Sequence, residues 1–169
     1  MKGMTTRQLS LMALLTAIAL AIHVAEAQIP APVPIPGVKL GLANIITVYA
    51  VFTLGAGPAC MILAARILLG SLFAGQAISL LYSLAGGLLC LLAMLPLRKV
   101  LTRKQIWVSS VIGAIFHNVG QILVAIVVTG TPAIASYFPV LLLSGIAAGL
   151  FTGFAAQALI ARMDKRKKQ

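Results

Sequence analysis

Seven polar side chains with recognition chemistry interrupt otherwise apolar stretches: Lys39, Asn44, Arg66, Tyr82, His117, Asn118 and Gln121. Together they offer fixed cations, amides, an imidazole and a phenol, which suits the grip of an anion on an apolar or aromatic body. Catalysis finds no support here. The only acids are Glu26 and Asp164, so paired-carboxylate acid/base work and Mg²⁺-diphosphate binding through aspartate clusters are both out of reach. The chain carries no G-x-x-x-x-G-K-[ST] loop for ATP and no nucleophile triad. Cys60 and Cys90 have no ligand-spaced companions and read as packing residues rather than a disulfide or metal pair. The reading is a binding protein: no catalytic residues, no metal and no cofactor.

Composition supplies the setting. Of 169 residues, 61% are hydrophobic and 9% charged, with a mean hydropathy of +1.09; soluble domains are roughly 25% charged. This is the composition of an integral membrane protein. The net charge is +11, and apart from Lys39 and Arg66 the basic residues fall in clusters beside apolar runs: Lys2 and Arg7 before the first, Arg98 to Lys104 between two, Arg162 to Lys168 after the last. Such placement marks topology and anionic-lipid contact, not nucleic-acid binding.

Six apolar runs are expected to span the membrane, at about 9–25, 38–54, 58–73, 77–95, 106–128 and 133–161. They form one domain over 1–169, an all-α compact bundle of six transmembrane helices. The basic clusters put both termini and the 98–104 loop in the cytoplasm. The first run also resembles a secretory signal, with Ala25-Glu26-Ala27 as a cleavage site. Against cleavage, Ala13, Ala17, Ala21 and Ala25 recur every four residues, a stripe that lets another helix approach closely. Gly55-Ala56-Gly57-Pro58 punctuates the second and third runs, Pro96 is expected to end the fourth, and Gly145, Gly149 and Gly153 mark close contact along the sixth.

The stretch IPAPVPIPGVKLGLAN, 29–44, stands apart. Pro30, Pro32, Pro34 and Pro36 each fix φ and remove a donor, so a stiff non-helical segment is expected, over a pocket or as a plain connector. By depth, His23 and Glu26 fall at the outer end of the first span, Lys39 and Asn44 in the outer turns of the second, Tyr82 in the outer part of the fourth. Arg66, His117 and Asn118 fall near mid-membrane, with Gln121 one turn further out. Each has a structural alternative. Lys39 can snorkel to the lipid surface, Arg66 can pair with Glu26, and His117, Asn118 and Gln121 can cross-link helices. Two cations against one acid leave a surplus positive charge that an anionic ligand would neutralise.

GVKLGLANI, RILLGSLFAG, YSLAGGLL, HNVGQILVA and FPVLLLSG resemble, in order and over nearly the whole chain, the membrane family called heptaprenyl diphosphate synthase component I or Gx transporter. That family in turn resembles the S components of energy-coupling-factor (ECF) transporters. The resemblance implies a multi-pass protein of the cytoplasmic membrane that binds a small molecule: an anionic vitamin-, flavin- or isoprenoid/quinone-precursor-like ligand. It implies as partners a transmembrane coupling subunit with two ATPase subunits, docked on Ala13, Ala17 and Ala21. The alternatives are a non-catalytic membrane partner of a polyprenyl diphosphate synthase and a structural subunit of a membrane redox complex.

Overall fold

Asn44 begins a helix of only 10 residues, and the other five helices assemble around it. In a computed structural model that describes residues 5–29, 39–74 and 77–166, the chain forms α1 (Thr6–Glu26), α2 (Asn44–Thr53), α3 (Ala56–Ala74), α4 (Ala77–Val100), α5 (Ile106–Thr129) and α6 (Phe138–Arg166). Short 3₁₀ turns at Arg103–Gln105 and Pro132–Tyr137 precede α5 and α6. No strand occurs among the described residues. The proline-rich part of 29–44 lies outside them.

Among the described residues, five helices are long and apolar enough to cross a membrane. The expected second span, 38–54, is corrected to α2, whose 10 residues reach about 15 Å, half of the roughly 30 Å hydrocarbon thickness. Residues 39–43 ahead of it are not helical, because Gly41 adopts φ +81°, a left-handed geometry that breaks the helical path. At its other end Gly55, at φ +102°, terminates α2 while its N–H reaches back to the Ala50 carbonyl at 3.0 Å, a Schellman-type closure. The α4 boundary is also corrected. Pro96 lies inside α4, which runs on to Val100; its ring is exposed and does not press on a neighbouring helix, so the local cost of one missing N–H and a crowded carbonyl does not end the helix.

α2 touches every other helix, and seven of its residues from Asn44 to Val51 are buried. Around it α1 packs on α3, α3 on α4, α4 on α5 and α5 on α6. The ring stays open between α6 and α1, which form no packed pair. The glycine ladder expected of the sixth run faces α5. A Cβ at Gly149 would come within 2.8 Å of Val111 Cα, and one at Gly153 within 2.6 Å of Trp107 Cα. Helices that meet backbone to backbone here also share a Ser110–Thr152 hydroxyl bond of 2.9 Å.

On α1 the buried positions are Met12, Leu15, Thr16, Ala19, His23 and Glu26, a 3–4 spacing that turns one face inward. Ala13, Ala17, Ala21 and Ala25 lie on the exposed face. A shallow apolar groove of about 360 Å³ runs between Ala13 and Ala17 of α1 and Ala65 and Leu69 of α3.

Candidate functional site

The interior N-terminal end of α2 collects most of the polar residues singled out from the sequence. Asn44, Arg66, His117 and Gln121 are each no more than 5% exposed. Arg66, from the middle of α3, donates from Nη2 to Asn44 Oδ1 at 3.4 Å. With the Gln121 amide oriented to satisfy its neighbours, its oxygen accepts from His117 Nε2 at 3.2 Å. The same amide grips the Lys39 main chain, donating to the carbonyl at 3.1 Å and accepting from the N–H at 3.2 Å. This two-point pairing resembles a rung between strands, and it satisfies backbone groups that have no helical partner.

Glu26 is not the ion-pair mate of Arg66. Its carboxylate accepts the Gly41 N–H from the turn that leads into α2. Among the described residues the one ion pair is Arg103–Asp164, at the basic end. Among the described residues Arg66 therefore sits buried with no carboxylate in contact, and its Nε finds no hydrogen-bond partner there. A guanidinium desolvated in this way is costly unless further acceptors arrive. His117 Nδ1 is likewise unpartnered.

Adjacent glycines on α4 line this region, Gly86 closely against His117 and Gly87 in ordinary contact range of Arg66. A Cβ at Gly86 would lie 2.7 Å from His117 Nδ1, and one at Gly87 would lie 3.7 Å from Arg66 Nη2. Gly41 does the same on the α2 side, where a Cβ would approach Asn44 Nδ2 to 2.9 Å and His117 Nε2 to 3.2 Å. Gly41 and Gly86 belong to the site through the space they leave. In the sequence they read only as small residues in apolar runs, and without knowing which helices meet, no signal separates them from other glycines.

Lys39 reaches sideways to α1. Its Nζ lies 3.2 Å from His23 Nε2, and both line a cavity of about 190 Å³ with Gly70 and Phe73 between α1 and α3. A Cβ at Gly70 would come within 3.3 Å of His23 Nε2. Lys39 is thus turned to a protein partner, as its half-buried state reflects.

Two expected members stand outside the cluster. Asn118 faces α6, donating through Nδ2 to the Leu141 carbonyl, and a Cβ at Gly145 would collide with that nitrogen. Its contact is a helix cross-link. Tyr82 is 1% exposed and packs with Ile122, Ala125 and Leu141 in a second apolar core. His117 and Gln121 share one face of α5, as their four-residue spacing implies, while Asn118 turns to another.

Among the described residues no grouping of three His, Cys, Asp or Glu side chains could hold a metal ion. What the arrangement offers is recognition: a helix N-terminus, a buried guanidinium, an amide and an imidazole converge where non-helical chain leads into α2. No curated protein and no solved structure matches the chain at a significant level. The family model described as heptaprenyl diphosphate synthase component I matches residues 15–159; its span takes in all the helices that build the cluster, and the chain belongs to that family.

Proposed function

We propose that this protein is the substrate-binding membrane subunit of an ECF-type uptake transporter and that it holds a small anionic molecule beside Arg66 and Asn44. The observation that carries this reading is the buried Arg66 guanidinium, which among the described residues has no carboxylate in contact and no partner for its Nε. A carboxylate or phosphate would supply both the missing charge and the missing acceptors. The non-helical chain that leads into α2 supports it, since discontinuous helices commonly build transporter sites near mid-membrane. The exposed Ala13, Ala17 and Ala21 support a docking role for α1, because packing within the chain does not use them. Lys39, His117 and Gln121 form the wall of the site, Gln121 by fixing the Lys39 backbone. On this reading the protein resides in the cytoplasmic membrane with both termini inside.

The test is native mass spectrometry of the protein as purified, paired with copurification. A retained small anion, lost in Arg66→Lys, together with two associated ATPases and a coupling subunit, is the expected result. Lysine cannot reproduce a bidentate guanidinium grip. Loss of one partner in a buried charged contact costs about 2–5 kcal/mol, or roughly 30-fold or more in affinity. Copurification of a soluble prenyl diphosphate synthase without ATPases would instead favour the non-catalytic subunit role that the family description suggests.

A further inference from the structure

The opposite, basic end of the bundle holds a second cavity, of about 480 Å³, independent of the Arg66 cluster. It exists because α2 is short and because α1 and α6, which flank it, do not pack on one another. Leu11, Leu54 and Ile160 give it an apolar floor, while Arg7 and Arg103 stand at its mouth. Arg103 is paired with Asp164, whereas Arg7 has no carboxylate partner among the described residues. The mouth therefore carries a surplus positive charge. Tyr49 lines the wall, is 4% exposed, and spends its hydroxyl proton on the Met163 sulfur at 3.0 Å. A thioether is a weak acceptor, and a phosphate oxygen would be a far stronger one.

The depth also constrains the occupant. α1 begins at Thr6, and α6 turns basic from Arg162 onward. The cavity thus opens at the level of the helix ends, where lipid phosphates stand. A cationic mouth over an apolar floor, beside a gap in the helix ring, fits a phosphate ester joined to a hydrocarbon chain. We propose that this cavity binds the phosphate of an anionic phospholipid, whose acyl chain runs along the gap between α1 and α6 against α2.

The test uses the full chain in dodecyl maltoside, titrated with phosphatidylglycerol, phosphatidylcholine or inorganic phosphate, and read by native mass spectrometry and thermal unfolding. Phosphatidylglycerol should be retained and should raise the unfolding temperature, and phosphatidylcholine should do neither. Arg7→Gln and Arg103→Gln should each weaken phosphatidylglycerol about fivefold, the factor equivalent to about 1 kcal/mol for one basic residue at headgroup level. Tyr49→Phe should weaken it without lowering the stability of the lipid-free protein. Lys99→Gln, an exposed change at the end of α4 outside the cavity, should have no effect. Stabilisation by inorganic phosphate alone, lost in Arg7→Gln, would keep the phosphate site and assign it a soluble source. Equal retention of the two lipids, or equal losses in Arg7→Gln and Lys99→Gln, would overturn the proposal.

Discussion

Arg66 and Glu26 are opposite charges on packed neighbouring helices, yet each is bound elsewhere, Arg66 to Asn44 and Glu26 to the Gly41 N–H. Glu26 acts across the loop as a cap for the turn that opens α2, a position whose own residue, Ala43, makes no side-chain cap. Glu26→Ala should therefore destabilise the empty protein by about 1 kcal/mol, the usual loss when a helix cap is removed, read as thermal unfolding in detergent. Gly41→Ala should cost about 1 kcal/mol or more, because it forces a Cβ onto φ +81°. Both changes loosen one junction, so the double mutant should fall short of the sum. Strict additivity would separate Glu26 from that turn. At this scale the sequence was a partial guide. Arg66, Asn44, His117 and Gln121 stood out because polar groups are rare and expensive in apolar helices. The choice of partner was not legible, since any of several helices can bring a donor to Arg66, and only the packing decides that Asn44 does.

Two rows of small residues at the same four-residue spacing serve different ends. Gly145, Gly149 and Gly153 on α6 are buried against α5, whereas Ala13, Ala17 and Ala21 on α1 are exposed. Gly149→Leu should destabilise the isolated protein by at least about 1–3 kcal/mol through overpacking against Val111. Ala17→Leu should leave isolated stability within about 0.5 kcal/mol, as surface changes do, while blocking copurification of a coupling subunit. A fall in unfolding temperature for Ala17→Leu without any partner would remove the docking role. Helix existence and order were readable from hydropathy because runs of apolar residues long enough to span have few alternatives. Boundaries were less so. Pro96 looked like a stop, and the helix continues past it; 38–54 looked like one span, and residues 39–43 of it are not helical. At 39–43 the local rule was overridden by partners that only the assembled bundle provides, Gln121 on the Lys39 main chain and Glu26 on the Gly41 N–H.

At the scale of the whole molecule, five long helices and one half-length helix make the number of crossings a matter of the 39–54 segment. Asn44 lies beside mid-helix Arg66, and Gly55 lies under the basic end, where a Cβ would meet Arg98 Nη1 at 3.2 Å. α2 thus covers the half of the bundle nearest the basic end, and non-helical chain leads into it. We predict that a cysteine at Thr102 is protected from an impermeant thiol reagent in intact cells while one at Thr131 is labelled, in a background where the exposed Cys60 is replaced. Labelling of both from the same side would defeat the six-crossing topology. A helix this short has a further consequence for biosynthesis. Ten residues opening on a buried asparagine give the insertion machinery little to hold. α2 should enter the bilayer only as a hairpin with α3, to which Gly55 joins it directly. An alkaline phosphatase reporter fused after Leu54 should then be active outside the cell, because α1 alone has crossed. The same reporter placed after Thr102 should be silent, once α3 and α4 have drawn α2 into place.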